Sequence, residues 1–536
     1  MEEGAPDGGD GDSYSLSSAL IVVTCFLGGL AVALACTRRG RRSRNLPPGP
    51  PSLPLIGHLH LLSRLAHQSL ADLSRKYGPV MMLQLGSLNT LVVSSPDMAK
   101  DVLKTQDHLF ASRPSSPLGD IFMHSSNDLL MAPLNDHWLF MRRTCVMELF
   151  TSKRVAQFEE RRRIETWRTV GRMLDEGREG NVLDIDRRMK EHGFNIITQE
   201  LFKKSFHGQR TPTIAADGEA LEFHDLMKEF TSIGFFVPGE FLPWLRKLRI
   251  DVGGVEAKLQ KLSVKFDSFL RKIIEDHRHK MFIRQNTEIE DFVDVLLSLQ
   301  SDNRDAKCLT DDQIIALLQN LLIAGSDTAA NTLVWILSEL MRNPEVRDKL
   351  RRELDDVVGQ ERLVHEADLV NLEYLQAVVK EALRLHPPAP LLVPHSNVSA
   401  TTVAGYDVPV DTRVFVNVYA IQRDPTVWEN ALKFDPQRFI DRSVGYQGQD
   451  FVFFPFGSGR RICVGMNMGL LTVEFTLALL LQTCDFSLPE GMAPQDVDVD
   501  ESHGATLSRM RPLKVLLWWI SVKERKASRW FAAGLD

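Results

Sequence analysis

The sequence predicts a mainly helical protein with a minor β region and one N-terminal transmembrane helix, and three observations predict it. From Arg154 to Ile283 the apolar residues recur at the spacing of amphipathic helices with charged faces, and the stretch from Asp311 to Arg342 is apolar on nearly every face at its centre. Strand-like runs are short: Val80 to Leu85 and Thr90 to Val93 around a turn near Gly86-Ser87, then the alternating region from Val403 to Val418. The uncharged run from Leu16 to Ala35 is roughly 20 residues, long enough to cross a bilayer as a helix.

With 44% hydrophobic and 25% charged side chains in 536 residues, the composition is that of an ordinary globular protein rather than a disordered or multi-span one. A net charge of −7 spread over that length carries no nucleic-acid footprint. Cys25, Cys36, Cys145, Cys308, Cys463 and Cys484 lack C-x-x-C and C-x-x-C-H spacing, which excludes a zinc knuckle and covalent haem attachment. Neither a phosphate-binding G-x-x-x-x-G-K-[ST] loop nor a complete dinucleotide fingerprint is present around the glycine-rich loop, so electrons for any redox step come from a partner.

Taken in order, residues 1–15 form an acidic tip carrying Glu2, Glu3, Asp7, Asp10 and Asp12, and residues 16–37 form the anchor. Arg38, Arg39, Arg41, Arg42 and Arg44 follow it, which keeps that side in the cytosol and places the tip in the lumen. A cleaved signal peptide would carry its basic cluster before the apolar run. Pro47, Pro48, Pro50, Pro51 and Pro54 make residues 38–57 a basic, extended hinge, because successive prolines remove backbone donors. Residues 58–522 are the body and 523–536 a tail.

Within the body, Ser112 to Leu134 is rich in Ser, Pro, Asn and Asp and reads as a long loop. Trp138 and Arg142 follow at i and i+4 on one helical face. Helical chain breaks at Phe235 to Gly239 and at Asp251 to Gly254, and Phe235, Phe236, Phe241, Leu242 and Trp244 line a channel, dip into a bilayer or pack in the core. Thr310 and Gln313 form a capping box for the helix from Asp311 to Arg342, which Asn343-Pro344 ends. In its apolar centre lie Ala324-Gly325-Ser326-Asp327-Thr328, where Gly325 permits a close approach and Thr328 can bond a neighbouring carbonyl and locally open the helix.

Near the C-terminus, Phe456, Gly459, Arg461, Cys463 and Gly465 satisfy F-x-x-G-x-R-x-C-x-G just before the apolar helical run Met466 to Leu481. A thiolate offered to an iron porphyrin needs close backbone approach, which Gly457, Gly459 and Gly465 allow, and backbone N–H groups at a helix start. Arg461 has the reach and fixed charge for a haem propionate. These residues, with Glu381 and Arg384 in E-x-x-R spacing and Phe434-Asp435-Pro436-Gln437-Arg438-Phe439, resemble the cytochrome P450 family, and its plant microsomal group in particular.

The resemblance implies a single large haem domain with haem b between the long helix and an axial Cys463 thiolate. Trp138, Arg142, His395 and Arg461 would serve the propionates, Ala324 and Gly325 would border the ring, and Glu381, Arg384 and Arg438 would form a buried network behind it. Oxygen would bind over the long helix, with Asp327 and Thr328 managing protons. Gln437 removes one customary acidic partner, while Val464, Leu139 and Ala329 depart from the usual residues. The implied activity is hydroxylation of a hydrophobic plant metabolite, a phenylpropanoid or flavonoid first and a terpenoid next, at the endoplasmic reticulum membrane, using O2 and electrons from NADPH–cytochrome P450 reductase. Arg143, Lys153 and Arg154 are either docking cations for that reductase or solvated charges. A reductase-independent isomerase or dehydratase on the same fold is the alternative, and a non-catalytic haem sensor a third reading.

Overall fold

The computed structural model describes residues 45–206, 226, 227, 229, 230, 237–284, 289–301, 309–502, 504 and 506–520. The expected tip, anchor and basic cluster, Phe235, Phe236 and the tail from 523 lie outside these residues. The longer helices are α1 (Ala66–Tyr77), α2 (Asp136–Thr144), α3 (Glu159–Gly177), α4 (Ile185–Phe202), α5 (Val255–Arg284), α6 (Phe292–Ser301), α7 (Asp311–Arg342), α8 (Pro344–Val357), α9 (Glu373–Leu385) and α10 (Met466–Thr483). The strands are β1 (Val80–Leu85), β2 (Leu88–Val93), β3 (Leu183–Asp184), β4 (His395–Ser396), β5 (Thr401–Val403), β6 (Tyr406–Val408), β7 (Arg413–Val416), β8 (Cys484–Ser487), β9 (Glu501–Ser502), β10 (Ser508–Arg509) and β11 (Lys514–Trp519).

The predicted hairpin is β1 and β2, antiparallel, with Leu85 opposite Leu88. Strand β7 adds in parallel to β2 and β4 in antiparallel to β7, giving a four-stranded sheet that sets His395 opposite Val414. A second, antiparallel sheet orders β3-β11-β8, and β5–β6 and β9–β10 form two-stranded ribbons. Phe241 and Leu242 pack on the hairpin: Ser87 donates its N–H to Phe241 O at 2.9 Å, and Phe241 is buried with Leu83 and Leu85, so core packing is its role.

Helix α7 runs 32 residues, about 48 Å at 1.5 Å per residue, and crosses the core. Its start is the predicted capping box: Thr310 Oγ1 accepts from Gln313 N–H at 3.2 Å, and Gln313 Oε1 accepts from Thr310 N–H at 2.9 Å. Helix α4 packs along it with a glycine on each side of the contact. A Cβ on Gly193 would stand 2.5 Å from Ser326 O, and one on Gly325 would stand 2.7 Å from Ile197 Cδ1. The expected opening at Thr328 does not occur. Its hydroxyl donates to Ala324 O at 2.8 Å, a bond the intact helix accommodates, and α7 is continuous through it.

The stretch from Ser112 to Leu134, expected as a plain loop, contains helical turns at Leu118–Phe122 and His124–Ser126. Leu118, Phe122, Met123, Met131 and Ala132 are buried there. Their burial orders a segment whose polar composition alone reads as irregular.

Candidate active site

A cavity of about 290 Å3 lies between α7 and the cysteine loop. Phe456, Arg461 and Cys463 line one wall, Ala324 and Thr328 of α7 another, and Trp138, Arg142 and His395 the rim. Those eight predicted residues are brought together from four separate parts of the chain.

The cysteine loop closes on itself through Cys463 N–H to Phe456 O at 3.0 Å, and the Phe456 ring packs edge-on against Tyr446 at 6.1 Å. Gly457 and Gly459 have φ of 73° and 70°, which glycine adopts without strain. The reason for Gly459 differs from the expected approach of a porphyrin: a Cβ there would lie 2.0 Å from Leu103 O, so the residue serves the packing of the loop against protein backbone. Gly465 has ordinary backbone geometry, and a Cβ on it would meet only the Phe150 ring at 3.9 Å. The Cys463 side chain opens into the cavity just before the first turn of α10. Burial holds its thiol above the usual value, while the Gly465 N–H and the Arg142 charge favour the thiolate.

Guanidinium groups crowd the rim. Arg461 Nε donates to Ala111 O at 2.7 Å and its Nη2 to Ala132 O at 2.6 Å, with the group 3.9 Å above the Trp138 ring. Arg142 Nη2 donates to Ile462 O at 2.9 Å. The indole N–H of Trp138, expected to reach a carboxylate, is given to Leu129 O at 3.0 Å. Arg113 was not anticipated; it donates to Leu130 O at 3.0 Å, Val393 O at 2.9 Å and Pro394 O at 2.8 Å. Burial, with Arg113 and Arg142 beside it, pushes Arg461 down to about 8, and only Asp128 opposes that. His395 donates Nδ1–H to Phe110 O at 3.0 Å and is pushed down to about 3 by burial and by Arg113 and Arg461, so the imidazole is neutral.

This donor set fits haem. One thiol faces the cavity to reach a metal, the wall is otherwise mainly apolar, and buried guanidiniums with one opposing carboxylate leave an excess of positive charge suited to two propionates.

On α7 the predicted residues separate. Ala324 and Thr328, four apart, share the face on the cavity, whereas Gly325 and Asp327 are absent from its lining. Gly325 serves the contact with Ile197 of α4. Asp327 is 9% exposed; burial raises its pKa, and Lys190 of α4 is the charge that opposes the rise.

Glu381 and Arg384 are both 0% exposed and pair twice, at 2.7 and 2.8 Å, and Arg438 Nε reaches Glu381 Oε1 at 3.1 Å. Gln437 turns away, accepting from Lys349 Nζ at 2.8 Å, because neighbouring residues of a helical turn diverge; its identity therefore leaves the Glu381 network untouched. Gln422 extends the network to the cysteine loop: its carbonyl accepts from Arg384 Nη1 at 2.8 Å while its side chain accepts from Phe454 N–H at 3.0 Å. Leu139, on the far face of α2, is exposed and absent from the cavity lining. Gln422, Arg113, Asp128 and Asn320 are single polar residues without a spacing pattern, so no sequence signal marks them.

The sequence profile of the cytochrome P450 family matches residues 47–516. Strychnine-11-hydroxylase of Strychnos nux-vomica is 38% identical over 504 residues, covering 93% of this chain and 97% of that protein. Premnaspirodiene oxygenase of Hyoscyamus muticus is 37% identical over 503 residues, with 93% and 97% covered. Phenylacetaldehyde oxime monooxygenase of Prunus mume is 38% identical over 480 residues, with 88% and 89% covered. Among solved structures, a zebra fish cytochrome P450 determined with progesterone superposes with a TM-score of 0.71 at 25% identity, over 85% of this chain and 99% of that one. Since the profile extends from the proline-rich hinge into the final strand, and relatives of this identity align along almost their whole length, the chain belongs to the cytochrome P450 family of haem-thiolate monooxygenases.

Proposed function

We propose that this chain is a membrane-anchored monooxygenase of the endoplasmic reticulum that hydroxylates a hydrophobic plant specialised metabolite, with electrons from NADPH–cytochrome P450 reductase. The observation that carries the reading is Cys463 facing Ala324 and Thr328 across one mainly apolar cavity with arginines at its rim. Haem held there by Cys463, its propionates among Arg113, Arg142 and Arg461, would supply the O2 activation that places one oxygen atom on the substrate and reduces the other to water. The chain's own residues bind, orient and handle protons. Thr328 presents its hydroxyl at the cavity wall, and Asp327, buried beside Lys190, holds a proton more readily than an exposed aspartate.

Resemblance favours a phenylpropanoid or flavonoid. The mainly apolar wall suits a terpenoid as well: the hydroxyls of Thr328 and Thr332 donate to Ala324 O and Thr328 O and offer a ligand acceptor oxygens only, and Asn320 is engaged by the backbone of Leu129 and Leu130. Of the candidate docking cations, Arg143 and Lys153 are exposed, whereas Arg154 is engaged by Glu148 O at 3.2 Å and Gln157 at 2.8 Å.

The test is product formation in microsomes containing this protein and the reductase, with and without NADPH, over terpenoids, phenolics and flavonoids. A product heavier by one oxygen, formed only with NADPH, is expected. A rearranged product of unchanged mass formed without NADPH would overturn the monooxygenase reading in favour of an isomerase.

A further inference from the structure

Asp128 is 0% exposed, a carboxylate buried within a segment that carries the cavity rim. Such a group is costly unless its oxygens are bonded. Asp128 Oδ1 accepts from Met131 N–H at 2.8 Å, and Oδ2 accepts from Asn320 Nδ2 of α7 at 2.9 Å. The same Asn320 accepts, through Oδ1, from the N–H groups of Leu129 at 2.8 Å and Leu130 at 3.0 Å. Two of the peptide groups so held have their carbonyls on the rim: Leu129 O takes Trp138 at 3.0 Å and Arg461 at 3.5 Å, and Leu130 O takes Arg113 at 3.0 Å, while Ala132 O, two residues further on, takes Arg461 at 2.6 Å. The N–H groups of Leu129 and Leu130 thus tie directly to the long helix and that of Met131 through Asp128, while the carbonyls of the stretch tie to Trp138 and the two arginines.

We propose that Asp128 and Asn320 are a positioning pair that fixes the propionate-binding cations from α7. The assignment rests on haem occupying the cavity described above. Asn320 stands one turn before Ala324 and lines the same cavity, so one side chain sets both the wall above the ring and the frame that orients Trp138, Arg113 and Arg461. A shift of the Leu129–Ala132 backbone displaces all three together, and haem retention falls with them.

The pair can be inverted with loss only of the weak bond that Asn320 Nδ2 donates to Met123 Sδ at 3.6 Å. Exchanging Asp128→Asn together with Asn320→Asp keeps an acceptor for Met131 N–H, an amide donor across the pair and a carboxylate acceptor for Leu129 and Leu130. Asn320→Asp alone sets two carboxylates against each other. The experiment measures haem release from the purified full-length holoprotein to excess apomyoglobin, together with the ferric absorption spectrum. The single exchange is expected to release haem about tenfold faster or more, and the double exchange to return within about threefold of the unaltered protein. Unchanged release in the single exchange, or a double exchange as leaky as the single, would overturn the proposal. Should the single exchange fail to fold, the double exchange decides it: near-normal retention supports the pair, and failure to fold or rapid release overturns it. Failure of the unaltered protein to hold a cysteine-ligated haem would instead overturn the cofactor reading.

Discussion

Gly325→Ala separates two explanations for a glycine in the middle of α7. If the residue borders the cofactor, an added methyl disturbs the ferric spectrum; if it serves the packing of α4, the methyl disturbs stability through Ile197. The Cβ would stand 2.7 Å from Ile197 Cδ1, 3.0 Å from Cγ1 and 3.6 Å from Cβ, so the terminal methyl must move and the branch is crowded. Overpacking of this kind costs about 1–3 kcal/mol, while replacing glycine by alanine inside a helix returns about 1 kcal/mol. The net effect is therefore a loss of about 0–2 kcal/mol. Ile197→Val removes the atom nearest the new methyl and by itself costs about 0.5–1.5 kcal/mol. The two exchanges should consequently be non-additive, with the valine costing less, or nothing, once alanine is present. Urea midpoints of the four proteins in a double-mutant cycle, with the ferric spectrum of each, form the assay. The expected coupling is at least about 1 kcal/mol with an unaltered spectrum. Additivity within about 0.5 kcal/mol would refute the packing argument, and a changed spectrum in Gly325→Ala would return the residue to the cofactor.

Three further outcomes follow from the structure. Glu381→Gln leaves Arg384 buried and its charge uncompensated, so a loss of about 3–5 kcal/mol is expected, read as a lower urea midpoint with less haem incorporated; a shift below about 1 kcal/mol would refute the network's role. Thr328→Ala should uncouple turnover, with NADPH consumed and peroxide released while product per NADPH falls severalfold; unchanged coupling would remove Thr328 from proton handling. Burial raises the Glu474 carboxyl to about 7, against the Lys380 charge. Because the folded state then binds the proton more tightly than the unfolded one, the resulting stability is fully present below the unfolded value near 4.5 and is lost as pH rises through about 7. Glu474→Gln should therefore raise the thermal midpoint more at pH 8 than at pH 5, and an equal gain at both would contradict the shift.

Local signals were enough for those parts of the molecule whose physics is local. Thr310 and Gln313 cap α7 because the capping bonds span three residues, and Asn343-Pro344 ends it because proline cannot continue the helix it follows. The short apolar run Val80–Leu85 and the turn at Gly86-Ser87 gave the hairpin with the strand that follows. The spacing from Phe456 to Gly465 was legible for the same reason, since the loop closes on itself through Cys463 and Phe456. Helical period also set Ala324 and Thr328 on one face, but which neighbour that face meets depends on distant chain. The sequence could mark Gly325 as a point of close approach, yet only the crossing of α4 identified Ile197 as what approaches, and only that crossing put Asp327 beside Lys190 rather than in the cavity. Gln437 lies next to Arg438 in sequence, but the rotation of about 100° between consecutive helical residues sends it to Lys349. Arg113, Asp128, Asn320 and Gln422 act through backbone carbonyls and N–H groups up to hundreds of residues away, and such partners leave no pattern in the residues themselves. By itself, then, the sequence determined the long helix with its ends, the first hairpin and the cysteine loop; the tertiary structure ordered the stretch from Ser112 to Leu134 and decided which side chains share the cavity and which backbone groups hold them, because those contacts are made by packing between elements and not along any one of them.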